Sequence, residues 1–224
     1  MKADSVKIGE GVYWVGALDW DARSFHGYSI PGTTYNCYLV FGEEKTALID
    51  NVYAGMSPQL YARIQDAFKQ EGKEDVKIDV FIQNHSEADH ATCLAETLKK
   101  FPDAEVYASP NCNKFLKLQY FELKDQEINI VKTGDELDLG GKKFTFIQAP
   151  MLHWPDNMFT FLNEDGILFS NDAFGQHVCL SQRFAEENDS DFIKDAARKY
   201  YANLVTFGSP SARRKLQEVA DLGL

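Results

Sequence analysis

Between Asn84 and His90 the chain reads NHSEADH, and four side chains of that stretch, His85, Glu87, Asp89 and His90, are imidazoles or carboxylates. The apolar run IDVFIQ stops just before it, so the cluster leaves what reads as a buried strand. Strand ends are where open α/β sheets place their chemistry. A polar loop capping the next helix, with Asp89 as N-cap and both histidines on the surface, would look the same locally. Two further stretches weigh against that plain reading. His153 follows a strand in QAPMLHWPDN, and Asp172 ends one in GILFSNDAFG. Imidazole and carboxylate gathered without thiolate suit iron, manganese or zinc. Copper prefers sulfur or several imidazoles, and calcium prefers oxygen alone. The six groups together exceed the needs of one tetrahedral ion; a metal pair sharing a bridging carboxylate uses them naturally.

The elements that must hold these groups read as mixed α/β. VKIGEGVYWVGAL and TYNCYLVFGEEKTALIDNV alternate and break like early strands joined by hairpins. SPQLYARIQDAFKQ opens with Ser57 and Pro58 in capping position and spaces Leu60, Ile64 and Phe68 four apart, which predicts a helix over 57–70. VKIDVFIQ then predicts a strand, ATCLAETLKKF a helix, AEVYAS a strand, and PNCNKFLKLQYF a helix begun by Pro110. MFTFLN and GILFSND predict two strands joined by the turn EDG, and the chain from about residue 190 reads as helical. Sheets flanked by helices make a layered sandwich. With no linker or repeat to mark a boundary, residues 1–224 read as a single domain.

Composition narrows the partners. The 224 residues are 44% hydrophobic, with a formal net charge of -11 and pI near 4.9, so polyphosphate backbones are repelled and nucleic acid is excluded as a partner. No apolar run is long enough to span a bilayer, and the N-terminus lacks the layout of a secretory signal, which predicts a cytoplasmic protein. Cys37, Cys93, Cys112 and Cys179 are far apart with no metal-type spacing and read as buried thiols.

The pattern HSEADH, then His153, then Asp172 between SN and AFG resembles the metallo-β-lactamase-like domain of the flavodiiron proteins. GTTYNCYLV, HWPDNMFT, NDAFG and YYANL are similar to that family too, so the resemblance covers nearly the whole chain. It implies an αββα four-layer sandwich and a non-haem diiron site. Hydrolases of the wider superfamily carry His-x-His-x-Asp-His, and the family's distinguishing change is the carboxylate at the third position, here Glu87. A hard, anionic donor there stabilises ferric iron. The resemblance further implies that His85, Glu87 and His153 hold one iron and Asp89 and His90 the second, with Asp172 bridging. It leaves His90 as the ligand that some members do not use. His26 and one of Tyr200 and Tyr201 are implied as hydrogen bonders around the metals. His177, close after the bridging residue, is expected at the rim.

The sequence departs from the family at two points. A further histidine is expected from a SHGP-type loop after the helix ending in LGL, and the sequence stops at that LGL. No flavodoxin-like region and no phosphate-binding loop occurs in residues 1–224, so no flavin mononucleotide is expected on them. A diiron pair without flavin supplies two electrons, enough to hold dioxygen as a bridged peroxide, which favours an oxygen sensor coupled to a chemoreceptor and kinase. The alternative is the core of an oxygen or nitric oxide reductase fed by a separate flavoprotein or rubredoxin; a dizinc hydrolase is third. Family members pair head to tail, so a homodimer is a further expectation.

Overall fold

The structure, a computed structural model, describes residues 3–221. β1 (Val6–Gly9) and β2 (Val12–Trp14) form a hairpin. Then β3 (Ala17–Asp19), β4 (Ser24–Phe25), β5 (Tyr28–Ser29) and β6 (Thr33–Tyr35) make two ribbons, β3 with β6 and β4 with β5. β7 (Tyr38–Phe41) and β8 (Thr46–Ile49) are antiparallel neighbours. From there the chain alternates: α1 (Ser57–Gln70), β9 (Val80–Gln83), α2 (Ala88–Ala91), α3 (Leu94–Lys100), β10 (Glu105–Ala108), α4 (Pro110–Gln119) and β11 (Asn129–Ile130). The resulting sheet has the order β1-β2-β7-β8-β9-β10-β11, parallel from β8 onward. A second sheet is the meander β12 (Glu136–Asp138), β13 (Lys143–Gln148), β14 (Met158–Leu162) and β15 (Ile167–Phe169). α5 (Ser190–Tyr200) and α6 (Ser209–Asp221) follow.

Three apolar clusters order these elements into layers. Strand side chains alternate between faces, so each sheet can bury both. In the first sheet Tyr13, Leu39, Leu48 and Phe81 meet Leu60, Ile64 and Phe68 of α1, Leu94 of α3 and Leu116 of α4. Their neighbours Val12, Val40, Ile49, Val80 and Ile82 turn the other way, onto Phe144, Phe146, Met158 and Leu162 of the second sheet. The outer face of that sheet, Ile147 and Phe159, packs on Tyr200, Val205, Ala212 and Val219. Helix, sheet, sheet, helix is the αββα order expected, and each fully buried Leu, Ile or Phe in it contributes roughly 1.5–3 kcal/mol.

Local expectations were met unevenly. The helix over 57–70 has the expected limits, but its N-cap is Met56 with no side-chain cap bond, and Ser57 lies buried inside the first turn. The helix expected from ATCLAETLKKF, residues 91–101, is realised only as α3, because the chain turns at Thr92 and Cys93, and the short α2 before that turn was not expected. Asp172 lies beyond β15, in the one-turn helix Asn171–Phe174. The last three residues, LGL, fall outside the described ones. Among the described residues no helix is long and apolar enough to cross a membrane.

Candidate metal centre

Three chain segments meet at one edge of the sandwich: 84–90 leaving β9, 149–157 between β13 and β14, and 170–178 after β15. The first is curled by Gln83, whose amide nitrogen donates to the carbonyls of His85 (2.6 Å) and His90 (2.8 Å). Tyr120 Oη donates to the Ser86 carbonyl at 2.9 Å. Asn84 ties the segments together: its carbonyl accepts from Met158 N at 3.0 Å and its side-chain oxygen from Thr160 Oγ1 at 2.8 Å. These bonds bury His85 completely and leave Glu87, Asp89 and His90 at most 8% exposed. That removes the surface-loop alternative, and Asp89 does not cap α2, whose N-cap is Glu87.

One donor atom each from His85, Glu87, His153 and Asp172 lies within 4.8 Å of the others. Glu87 Oε2 is 3.3 Å from Nε2 of both His85 and His153. Asp172 turns Oδ2 toward His153 Nε2 (2.8 Å) and His85 Nε2 (3.7 Å), and Oδ1 toward His90 Nε2 (3.0 Å). One carboxylate therefore faces two groups of ligands with different oxygens. Asp89 Oδ2 approaches His90 Nε2 at 3.5 Å, while its Oδ1 is buried with no partner. Desolvating a carboxylate oxygen without a hydrogen bond is costly, and a cation is the partner such an atom fits. The all nitrogen and oxygen donor set suits iron.

The charges reflect this crowding. Burial would lower His153, but hydrogen bonds to Asp172 and Glu87 outweigh it and raise its pKa to about 9. Burial likewise works against His85 and His90, which are nevertheless raised, by Asp156 first for the one and by Asp172 for the other. Burial would raise Glu87, yet the bonds to His153 and His85 hold it at about 2. Asp89 goes the other way, up to about 6, because its burial exceeds the attraction of His90.

Around this cluster the residues singled out in the sequence divide. His26 comes in: it and Gly27 form the two-residue turn of the β4–β5 hairpin with φ 48° and 83°, and its Nε2 is 3.2 Å from Glu87 Oε1. Tyr200 is 4% exposed with its ring 6.2 Å from that of His153. Tyr201, the next residue, is 45% exposed, because consecutive helical side chains point in different directions. His177, expected at the rim, is buried at 8% exposure, enclosed by Phe25, His26, Tyr28 and Tyr200. The thiols Cys37, Cys93, Cys112 and Cys179 are all buried and free.

Two carboxylates were missed. Asp156, 1% exposed, sets both oxygens 3.1 Å from His85 Nδ1 and accepts from Ser86 N (2.8 Å) and Ser86 Oγ (2.7 Å). A carboxylate on Nδ1 leaves Nε2 free to ligate. Among the described residues His90 has no such carboxylate; its Nδ1 faces the Asn171 amide nitrogen at 3.4 Å. Asp50, also buried, accepts from Asn84 N (2.8 Å), Asn84 Nδ2 (3.1 Å) and Asn171 Nδ2 (3.1 Å), and so anchors the segment carrying Asp172. Nothing in PDN or LIDN signals these roles by sequence alone.

Comparison with known proteins agrees with this architecture. Residues 33–210 match the family described as ODP family beta lactamase. An oxidase of reduced coenzyme F420 from Methanocaldococcus jannaschii is 56% identical over 97% of this chain, which covers 53% of that protein. A nitric oxide reductase of Moorella thermoacetica is 43% identical over 98% of this chain and 54% of its own length. Among solved structures, the rubredoxin oxygen:oxidoreductase of Desulfovibrio gigas superposes with a TM-score of 0.91 at 35% identity, covering 98% of this chain and 54% of that one. The chain thus spans about half the length of the relatives it matches.

Proposed function

Since the chain belongs to the ODP family beta lactamases and its solved relatives include flavodiiron proteins, we propose that it is the diiron core of an oxygen or nitric oxide reductase. Electrons reach it from a flavin- or rubredoxin-type donor outside residues 1–224. Asp172 carries the proposal, with Oδ2 on the His85 and His153 side and Oδ1 on the His90 side. In this assignment His85, Glu87 and His153 would hold one iron, Asp89 and His90 would hold the other, and Asp172 would serve both. Bound there, the iron pair would pass electrons to a diatomic gas.

The chain's own groups do the positioning. Asp156 fixes the tautomer of His85, and Gln83 and Asn84 keep the ligand segment curled around the site. Glu87 supplies a charged oxygen where an imidazole would favour zinc hydrolysis, and His26 steadies its second oxygen. Burial of the cluster limits water, which strengthens each of these contacts. The similar proteins compared are named for an oxidase and reductases, which supports the reductase reading over an oxygen-sensing role.

The test is anaerobic purification, metal analysis, and uptake of dioxygen and nitric oxide with reduced rubredoxin as donor. Two irons per chain and sustained uptake are expected. A zinc-filled protein, or one stoichiometric and reversible oxygen adduct without turnover, would refute the reductase assignment.

A further inference from the structure

A cavity of about 500 Å³ opens beside the cluster, and its lining includes Asp89, His90, Asp172, His177 and Tyr200. His177 is 8% exposed, and its Nε2 is a buried polar atom with no hydrogen-bond partner. Its other nitrogen, Nδ1, lies 3.2 Å from Thr33 Oγ1. A neutral imidazole has one donor and one acceptor nitrogen, and the partner of one decides the role of the other. A hydroxyl can donate or accept, so Thr33 is compatible with either tautomer; when it donates to Nδ1, the ring hydrogen sits on Nε2. Burial supports the neutral form, drawing His177 down to about 4.

Among the described residues, Nε2 has no hydrogen-bond partner. The rings of Phe25, Tyr200 and His26 stand 4.7, 5.3 and 5.8 Å from the His177 ring and wedge it in place. Tyr28, at 5.8 Å, has a hydroxyl that is itself buried without a partner. Buried polar atoms are rarely left so, and one in the wall of a cavity that also reaches the cluster points to a ligand. His177 is not among the convergent metal donors, so it is not a further ligand of the first iron.

We propose that the Thr33 hydroxyl donates to His177 Nδ1 and that His177 Nε2–H donates a hydrogen bond to the outer atom of a small ligand held beside Asp89, His90 and Asp172. The ligand class is a diatomic or triatomic species with a lone pair on its terminal atom. The inference rests on the diiron assignment and adds to it the group that discriminates among ligands at the second iron.

The experiment is an azide titration of the oxidised, iron-loaded protein, followed by absorption, with iron content measured on each sample. His177→Leu weakens azide by about tenfold with iron unchanged, the loss of one hydrogen bond to a charged ligand. Thr33→Val, which removes the partner of Nδ1, weakens it by about threefold, and His177→Gln, which keeps an N–H, recovers part of the loss. Azide binding at wild-type affinity in His177→Leu with its iron retained overturns the inference and leaves the diiron assignment standing. Should His177→Leu fold poorly or lose iron, Thr33→Val decides, and unchanged affinity there overturns it as well. A wild-type protein that takes up no iron removes both together.

Discussion

Replacing Asp156 with Asn keeps the shape of a buried side chain, removes its charge and exchanges one acceptor oxygen for an NH2 donor. Asp156 Oδ2 accepts from Ser86 N at 2.8 Å and Ser86 Oγ at 2.7 Å, so the single oxygen of an asparagine is held there. The amide NH2 then occupies the place of Oδ1, 3.1 Å from His85 Nδ1. A donor facing Nδ1 favours the tautomer with hydrogen on Nε2, which is the nitrogen needed for the metal. Oδ2 also lies 3.1 Å from Nδ1, so the ligating tautomer keeps a weaker acceptor and is disfavoured without being lost. Removing such a partner costs about tenfold to a hundredfold in metal affinity, or about 1.4 to 2.7 kcal/mol. The assay is a ferrous iron titration against a competing chelator at neutral pH, without oxygen, with circular dichroism to check the fold. The weaker of the two binding steps should shift to the iron held by His85. Wild-type affinity at both steps in a folded variant would refute the reasoning.

Asp172→Ala removes the carboxylate that, among the described residues, faces both ligand groups, so metal analysis should find at most one iron per chain; full occupancy would contradict the bridging assignment. In metal-free protein His153 has a pKa of about 9 against about 6.5 when unfolded, so the stability it contributes is complete below pH 6.5 and lost as pH rises through 9. The thermal midpoint should fall across that window by an amount reflecting about 3 kcal/mol, and a rising midpoint would count against it. The four buried thiols, each with its pKa raised mainly by burial, should resist a thiol-labelling reagent until the protein unfolds, which mass spectrometry can follow. Rapid labelling of the native protein would show the burial to be wrong.

Much of this molecule is written locally. The helix over 57–70 follows from apolar residues repeating on one face, and the strand before Asn84 from an unbroken apolar run bounded by polar residues. The residues of the proposed ligand set could also be named from sequence, because imidazoles and carboxylates at three strand ends are unusual and match one family in kind and order. What sequence could not supply is every contact between residues far apart in the chain. Asp156 meets His85 across 71 positions, and Thr33 meets His177 across 144. Read in place, Asp156 is a turn former and Thr33 a strand residue. Tyr200 and Tyr201 differ only in which side of a helix faces the second sheet. Periodicity and composition are properties of neighbours along the chain and so fix elements and residue types. Tautomer, burial and the pairing of charges depend on which surfaces the four layers press together, and only the folded molecule decides that.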